Sequence, residues 1–499
     1  MNRRSSPYLS RRHMLAGMAS FVGTGVWARA PETSERPLAR GVAAPRPVRV
    51  AGPPTEALVQ KAGLGGQVGY AVTDVDTGEV LDMRLGDTLL PPASTMKAIT
   101  AIYALDKLGP SYRFRTEVLA RGTMKNGRLE GDLILKGGGD PTLDTDRLAD
   151  LAAALREAGL HEVTGRFLIW PGDMPSDDRI DDEQPDHVSY NPAFGGLNLN
   201  FNRVHFKWER AGDGYSISMQ ARGLRFSPST SVAQMGIVDR KTPVYDYWAS
   251  RDRDVWSVAR GALGSDGARW LPVRFPAIYA ADVFRTLARS NGIVLKPAER
   301  IDTLPEAKVL AVSESEHLVP VLVDMLKYST NLTAEMTGLA ASMSYGVPSR
   351  SLAGSGGRMA SWAMENFDAT GLRFKDHSGL GYGSAITPMG MARILRANDG
   401  IAVLLKDFNL SLDKSRPAPG GVRVRAKTGT LNFVSSLAGF VETRNRRKLS
   451  FAIFTGDVAR RDAIPQAERE RPNGAKSWSR RSRQLQKELI RSWAQSFDA

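Results

Sequence analysis

The chain of 499 residues contains no cysteine. That excludes a thiol nucleophile, a thiolate-bound metal and any disulfide. Histidine is scarce, with six residues, and none falls in the H-E-x-x-H or similar spacing of a zinc site, so neither metal nor cofactor is expected. The N-terminal apolar stretch Ala16 to Ala28 is interrupted by Gly17, Gly23 and Gly25 and is too short for a stable membrane span. The triple glycine Gly137-Gly138-Gly139 lacks the spacing of a phosphate or dinucleotide loop and reads as a turn. Asp177, Asp178, Asp181, Asp182 and Glu183 lack the order of a calcium loop and read as a solvated surface loop. Acid is in short supply: 67 Lys and Arg against 53 Asp and Glu give +14. A basic surface suits an anionic partner, but no basic–aromatic RNA-binding motif appears, so nucleic acid is not indicated.

What is present begins with an export signal. Ser10-Arg11-Arg12-His13-Met14-Leu15 has the twin-arginine form, and residues 1–28 end in a plausible cleavage site at Val26-Trp27-Ala28. An ordinary secretory signal with two arginines is the alternative. Either route predicts a periplasmic protein, and the lack of cysteine suits folding before export. Residues 29–50 read as a Pro-rich linker. The remaining length suits more than one domain. Val68 to Asp74 and Glu79 to Met83 alternate as strands, and Arg113 to Leu135 forms a hairpin turning at Asn126-Gly127. Leu148 to Ala158, Ala277 to Asn291, Leu318 to Lys327 and Leu332 to Met343 read as helices. Val422 to Thr430, Ser436 to Glu442 and Lys448 to Thr455 read as strands. Trp478, Leu485, Leu489, Trp493 and Phe497 form the apolar stripe of a final helix.

Three short elements carry chemistry. Ser94-Thr95-Met96-Lys97 opens a helix with no charged residue from Ala98 to Leu105, which predicts a buried helix with Ser94 at its N-terminus. Lys97 lies one turn further on the same face, where a lysine is costly unless it has partners or a task. A hydroxyl with an amine in reach is a nucleophile–base pair. A second Ser-x-x-Lys, Ser411 to Lys414, sits in a polar stretch and reads as loop. Ser329-Thr330-Asn331 joins two apolar helices. Ser189-Tyr190-Asn191 repeats its form, but in an Asp/Pro-rich loop. Lys427-Thr428-Gly429-Thr430 ends a strand.

In this order, the three elements resemble the signatures of the penicillin-binding proteins and serine β-lactamases. The gap of 235 residues between Ser94 and Ser329 leaves room for an inserted domain or two. With Gly131–Leu143, Leu197–Asn202 and Asp376–Leu380, it resembles the type-4, class C, low-molecular-mass penicillin-binding proteins, D-alanyl-D-alanine carboxypeptidases and endopeptidases of peptidoglycan.

The resemblance implies an α+β fold. A β-lactamase/transpeptidase-like domain, an antiparallel sheet with helices on both faces, would be built from 51–112 and 306–499. It would carry a β-rich insert at 113–305. The resemblance also implies Ser94 as nucleophile and Lys97 as base, its proton affinity lowered by burial and by Lys427. Ser329 and Asn331 would serve as proton relay and as holder of Lys97. Lys427, Thr428, Gly429 and Thr430 would bind the substrate carboxylate and complete an oxyanion hole. Stem peptides would be the substrate and β-lactams covalent inhibitors. Thr330 stands where the family usually has Asp, and His377 where it usually has Gly. Two rival readings are a serine β-lactamase, which the long insert disfavours, and a non-catalytic murein-binding scaffold, which three intact motifs disfavour.

Overall fold

The computed structural model describes residues 55–346 and 349–498. The export signal and linker, 1–28 and 29–50, lie outside the described residues. A six-stranded sheet runs in the order Lys406–Asp407, Arg423–Leu431, Val434–Glu442, Lys448–Gly456, Gln67–Asp74, Val80–Arg84. Every neighbouring pair is antiparallel. All but one residue of Gln67–Asp74, and all but one of Val434–Glu442, are buried. A strand is buried along its whole length only when both faces are covered.

The final helix, Ala475–Ser496, covers one face. Its Leu485, Leu489 and Trp493 pack on Tyr70, Val72 and Phe451, with Trp493 edge-on to Tyr70 at 5.5 Å. The other face carries Met96–Leu108, enclosed by helices Leu318–Tyr328, Asn331–Met343, Leu352–Phe367 and Pro388–Ala397. Residues Met96 to Ala104 are all buried, as the uncharged run that follows Lys97 should be. The expected N-cap role of Ser94 is not what forms. Ala93–Thr95 is a turn of 3-10 helix ahead of Met96, with no side-chain cap. Thr95 Oγ1 closes it by donating to Pro92 O at 2.6 Å.

A second sheet runs Ala298–Arg300, Phe167–Trp170, Arg128–Lys136, Arg115–Lys125, Lys308–Glu314. Asn126 and Gly127 both take positive φ, 50° and 79°, as a two-residue hairpin loop requires. Strand Lys308–Glu314 pairs with Arg115–Lys125, so the segment after Pro305 first completes this sheet before the chain returns to the first one. The division expected at 305/306 had no periodicity to mark that crossing. Two three-stranded sheets lie between residues 203 and 272, and one core, including Leu133, Phe167, Phe206, Trp256 and Phe284, joins them to the second sheet. A smaller core of Phe194, Leu332, Met336 and Leu339 packs this region against helix Asn331–Met343. Among the described residues, no helix is long and apolar enough to cross a membrane.

Candidate active site

The turn Ala93–Thr95 lies against the end of strand Arg423–Leu431. A Cβ on Gly429 would stand 2.9 Å from both Pro92 O and Ser94 N, so this glycine lets the strand reach the turn that carries Ser94. On the side where its Cβ would lie, what approaches Gly429 is the protein's own turn. Ala93 is held at φ 45°, a left-handed conformation that an alanine adopts at a cost. Beneath it runs Gly379, where a Cβ would come within 2.0 Å of Ala93 O.

Ser94 is half-buried at the floor of a cleft of about 1060 Å3, which is also lined by Tyr190, Ser329, Asn331 and Thr430. Lys97 is fully buried behind it. Its Nζ lies 3.0 Å from Ser94 Oγ and donates to Asn331 Oδ1 at 2.6 Å and to Ser378 O at 2.9 Å. Ser329, at the end of helix Leu318–Tyr328, takes the left-handed conformation, φ 59° and ψ 38°. That turns its Oγ to within 3.0 Å of Lys427 Nζ, which also donates to Thr428 O at 2.7 Å. Lys427 is buried on the strand, while its neighbours Thr428 and Thr430 are exposed. The structure thus brings Ser94, Lys97, Ser329, Asn331, Lys427 and Thr430 together. Ser411 is elsewhere, its Oγ donating to Asp413 O within an exposed loop.

Burial pulls the Lys97 amine down to about 8, while Glu335 and Asp376 oppose that pull. Burial lowers Lys97 as expected; the charges that act on it are carboxylates, which oppose burial, in addition to the expected second cation. Burial, then Lys97 and then Lys406, holds Lys427 well below its usual range. Neither carboxylate is placed beside Lys97 by the sequence: Asp376 reads only as part of a turn, and Glu335 is not singled out. Glu335 lies one turn beyond Asn331 and is the lone charge in helix Asn331–Met343. A single acid in an otherwise uncharged helix was the available signal. Asp376 is buried and pins its own turn by accepting from the backbone N–H of Gly379 and Gly381.

His377 does not need the freedom of a glycine. Positive φ in this turn falls at Gly379, at 76°, and the imidazole is fully buried with Nε2 2.8 Å from Ser355 Oγ. Thr330 donates to Thr333 Oγ1 at 2.9 Å and faces its own helix.

The decoy loop has a different task. The amide of Asn331 is oriented by its Nδ2 donating to Tyr190 O at 2.8 Å, which leaves Oδ1 for Lys97. Asn191 fixes that loop through Ile180 N, Asp181 N and Asp181 O. Arg274, buried, donates to the carbonyls of Asp178, Asp186 and Asn191 at 2.6–2.8 Å. With its backbone so satisfied, the acidic loop packs as a wall of the cleft rather than lying free in solvent; Glu183 and Gln184 line the cleft.

A half-buried serine hydroxyl 3.0 Å from a buried amine is the arrangement of a serine-type hydrolase. Residues 55–471 match the D-Ala-D-Ala carboxypeptidase 3 (S13) family. The chain belongs to that family and is a serine-type D-Ala-D-Ala carboxypeptidase. It is 30% identical over 421 residues to the D-alanyl-D-alanine carboxypeptidase of Actinomadura sp. (strain R39), covering 77% of each chain. It is 25% identical over 436 residues to D-alanyl-D-alanine carboxypeptidase DacB of Haemophilus influenzae, covering 80% of this chain and 88% of that one. The fold is similar to the crystal structure of penicillin binding protein 4 from Haemophilus influenzae. The TM-score is 0.72 at 21% identity, covering 88% of this chain and 99% of the other.

Proposed function

We propose that Ser94 attacks the carbonyl of the penultimate D-alanine of a peptidoglycan stem peptide while Lys97 takes its proton. The observation that carries this reading is the setting of Lys97 Nζ, itself buried, which meets Asn331 Oδ1, Ser378 O and Ser94 Oγ within 3.0 Å. Ser329, bonded to Lys427, relays the proton taken up by Lys97 to the leaving amine as the C–N bond breaks, and water then cleaves the acyl-Ser94 ester. The N–H groups of Ser94 and Thr430 stabilise the oxyanion. Thr428 and Thr430 on the exposed strand end, backed by the charge of Lys427, receive the carboxylate next to the leaving residue. That carboxylate adjoins the scissile bond both in a D-Ala-D-Ala terminus and in a D-Ala–diaminopimelate cross-link. The same site therefore serves carboxypeptidase and endopeptidase reactions, and the open cleft admits the longer substrate.

β-Lactams acylate Ser94 in place of the peptide. Residues 51–112 and the chain from about 315 onward form the catalytic domain, and the intervening chain forms the insert that walls the cleft. The twin-arginine form of Ser10-Arg11-Arg12 supports export to the periplasm by that route. Labelling by fluorescent penicillin tests the reading. A single adduct should map to Ser94 and vanish in Ser94→Ala, and purified murein should lose terminal D-alanine and cross-links. An adduct on Ser411, or rapid nitrocefin turnover with intact murein, would overturn it.

A further inference from the structure

Glu335 is fully buried, and no bond-making step in the reaction falls to it. Each of its carboxylate oxygens accepts one backbone N–H, Oε2 from His377 at 2.8 Å and Oε1 from Ser378 at 3.0 Å. These bonds orient the turn whose next carbonyl, Ser378 O, accepts from Lys97 Nζ. A neutral lysine amine has two N–H donors and one lone pair. Two of the neighbours of Lys97, Asn331 Oδ1 and Ser378 O, can only accept, so they take both donors. The lone pair is left facing Ser94 Oγ. Were the Ser378 carbonyl to turn away, an N–H would rotate toward Ser94 and the hydroxyl would lose its base.

We propose that Glu335 is a positioning residue for the base: by holding the Ser378 peptide it aims the Lys97 lone pair at Ser94. The inference rests on Lys97 being the base.

Electrostatics supply a second readout, present where Glu335 is ionised. Lys97 is faced by Glu335 from helix Asn331–Met343, by Asp376 from the turn and by Lys427 from the strand, with Lys406 beyond it. Burial keeps the neighbouring His377 neutral, its imidazole held down to about 3. Burial pushes Glu335 up to about 8, against its two N–H bonds and Lys97. Glu335 is the first of the charges that hold the proton on Lys97 against burial. Without it the ammonium releases its proton at lower pH, so the acid limb of Ser94 acylation, which follows the neutral amine, moves to lower pH.

The test is the second-order rate of acylation by fluorescent penicillin from roughly pH 5 to 10, measured on wild type, Glu335→Gln and Glu335→Asp. Glu335→Gln should move the acid limb down by about one pH unit. Its plateau should fall about tenfold, because the amide NH2 replaces one of the two accepting oxygens and stands against a backbone N–H, so the Ser378 carbonyl loses its aim. Glu335→Asp keeps the charge but is shorter, so its plateau should fall while the limb stays within about a third of a unit of wild type. An unmoved limb in Glu335→Gln would reduce Glu335 to a structural acid. So would equal movement in both variants. If Glu335→Gln yields no folded protein, the Asp variant decides alone: a limb displaced by a full unit, or an unchanged plateau, overturns the inference. Lys97→Ala separates this from the parent reading, because it abolishes acylation if Lys97 is the base, whatever Glu335 does.

Discussion

His377 has no exposed surface. Its ring stacks on Tyr103 with centroids 6.5 Å apart and fills the space over Gly338, where a Cβ would come within 2.1 Å of the ring. The residue therefore replaces the family's glycine by packing, with no strain on the turn. Burial leaves the imidazole neutral in the fold, held down to about 3, whereas the unfolded chain titrates near 6.5. The stability this residue contributes is fully present above about pH 6.5 and is lost as pH falls, because the unfolded state takes up the proton first. From pH 7 to 5 the loss is about 2 kcal/mol. His377→Gln should therefore show a smaller drop in thermal midpoint between pH 7 and pH 5 than wild type. An equal drop in both would place this acid sensitivity elsewhere.

Elements differ in how openly the sequence announces them. Helix Met96–Leu108 is legible because its uncharged run can be satisfied only by burial. Helix Leu352–Phe367 is not, because Gly354, Gly356 and Gly357 lower its helix propensity. Gly356 is nonetheless required, as a Cβ there would meet Phe374 O at 2.8 Å. Ser329 belongs to this scale because its role depends on how one helix stops. Its left-handed backbone costs on the order of 1 kcal/mol for a non-glycine residue and turns the hydroxyl onto Lys427. Ser329→Gly should thus be about 1 kcal/mol more stable in denaturant unfolding, yet acylate at least about a hundredfold more slowly. Ser189→Ala should stay within about threefold of wild type. The reverse ranking in acylation would make the loop serine the functional one.

Across the whole molecule, one buried cation ties the insert to the chemistry. Arg274 gathers three carbonyls of the loop that carries Tyr190, and the Tyr190 carbonyl orients Asn331. Arg274→Met would leave those acceptors without a donor and the wall loose. We expect a loss of about 3 kcal/mol in chemical denaturation and about a tenfold slower acylation. Acylation at the wild-type rate, with the stability loss intact, would mean that the wall does not position Asn331.

Serine, lysine and their downstream partners were legible in the chain because each motif sits where local pattern dictates its element: an uncharged helix, a polar break between helices, the end of an alternating strand. The alternation of Val68 to Asp74 and the Asn126-Gly127 turn were equally local. Tertiary structure alone decided which groups face the Lys97 amine. Glu335 and Asp376 reach it from elements more than two hundred residues away in sequence, and their charge matters only because water is excluded there. It also decided that strand Lys308–Glu314 completes the insert's sheet and that Gly429 and Gly379 yield space to the Ser94 turn. It decided too that the acidic loop is a wall. Each of these is a long-range contact between segments whose own periodicity carries no record of the partner.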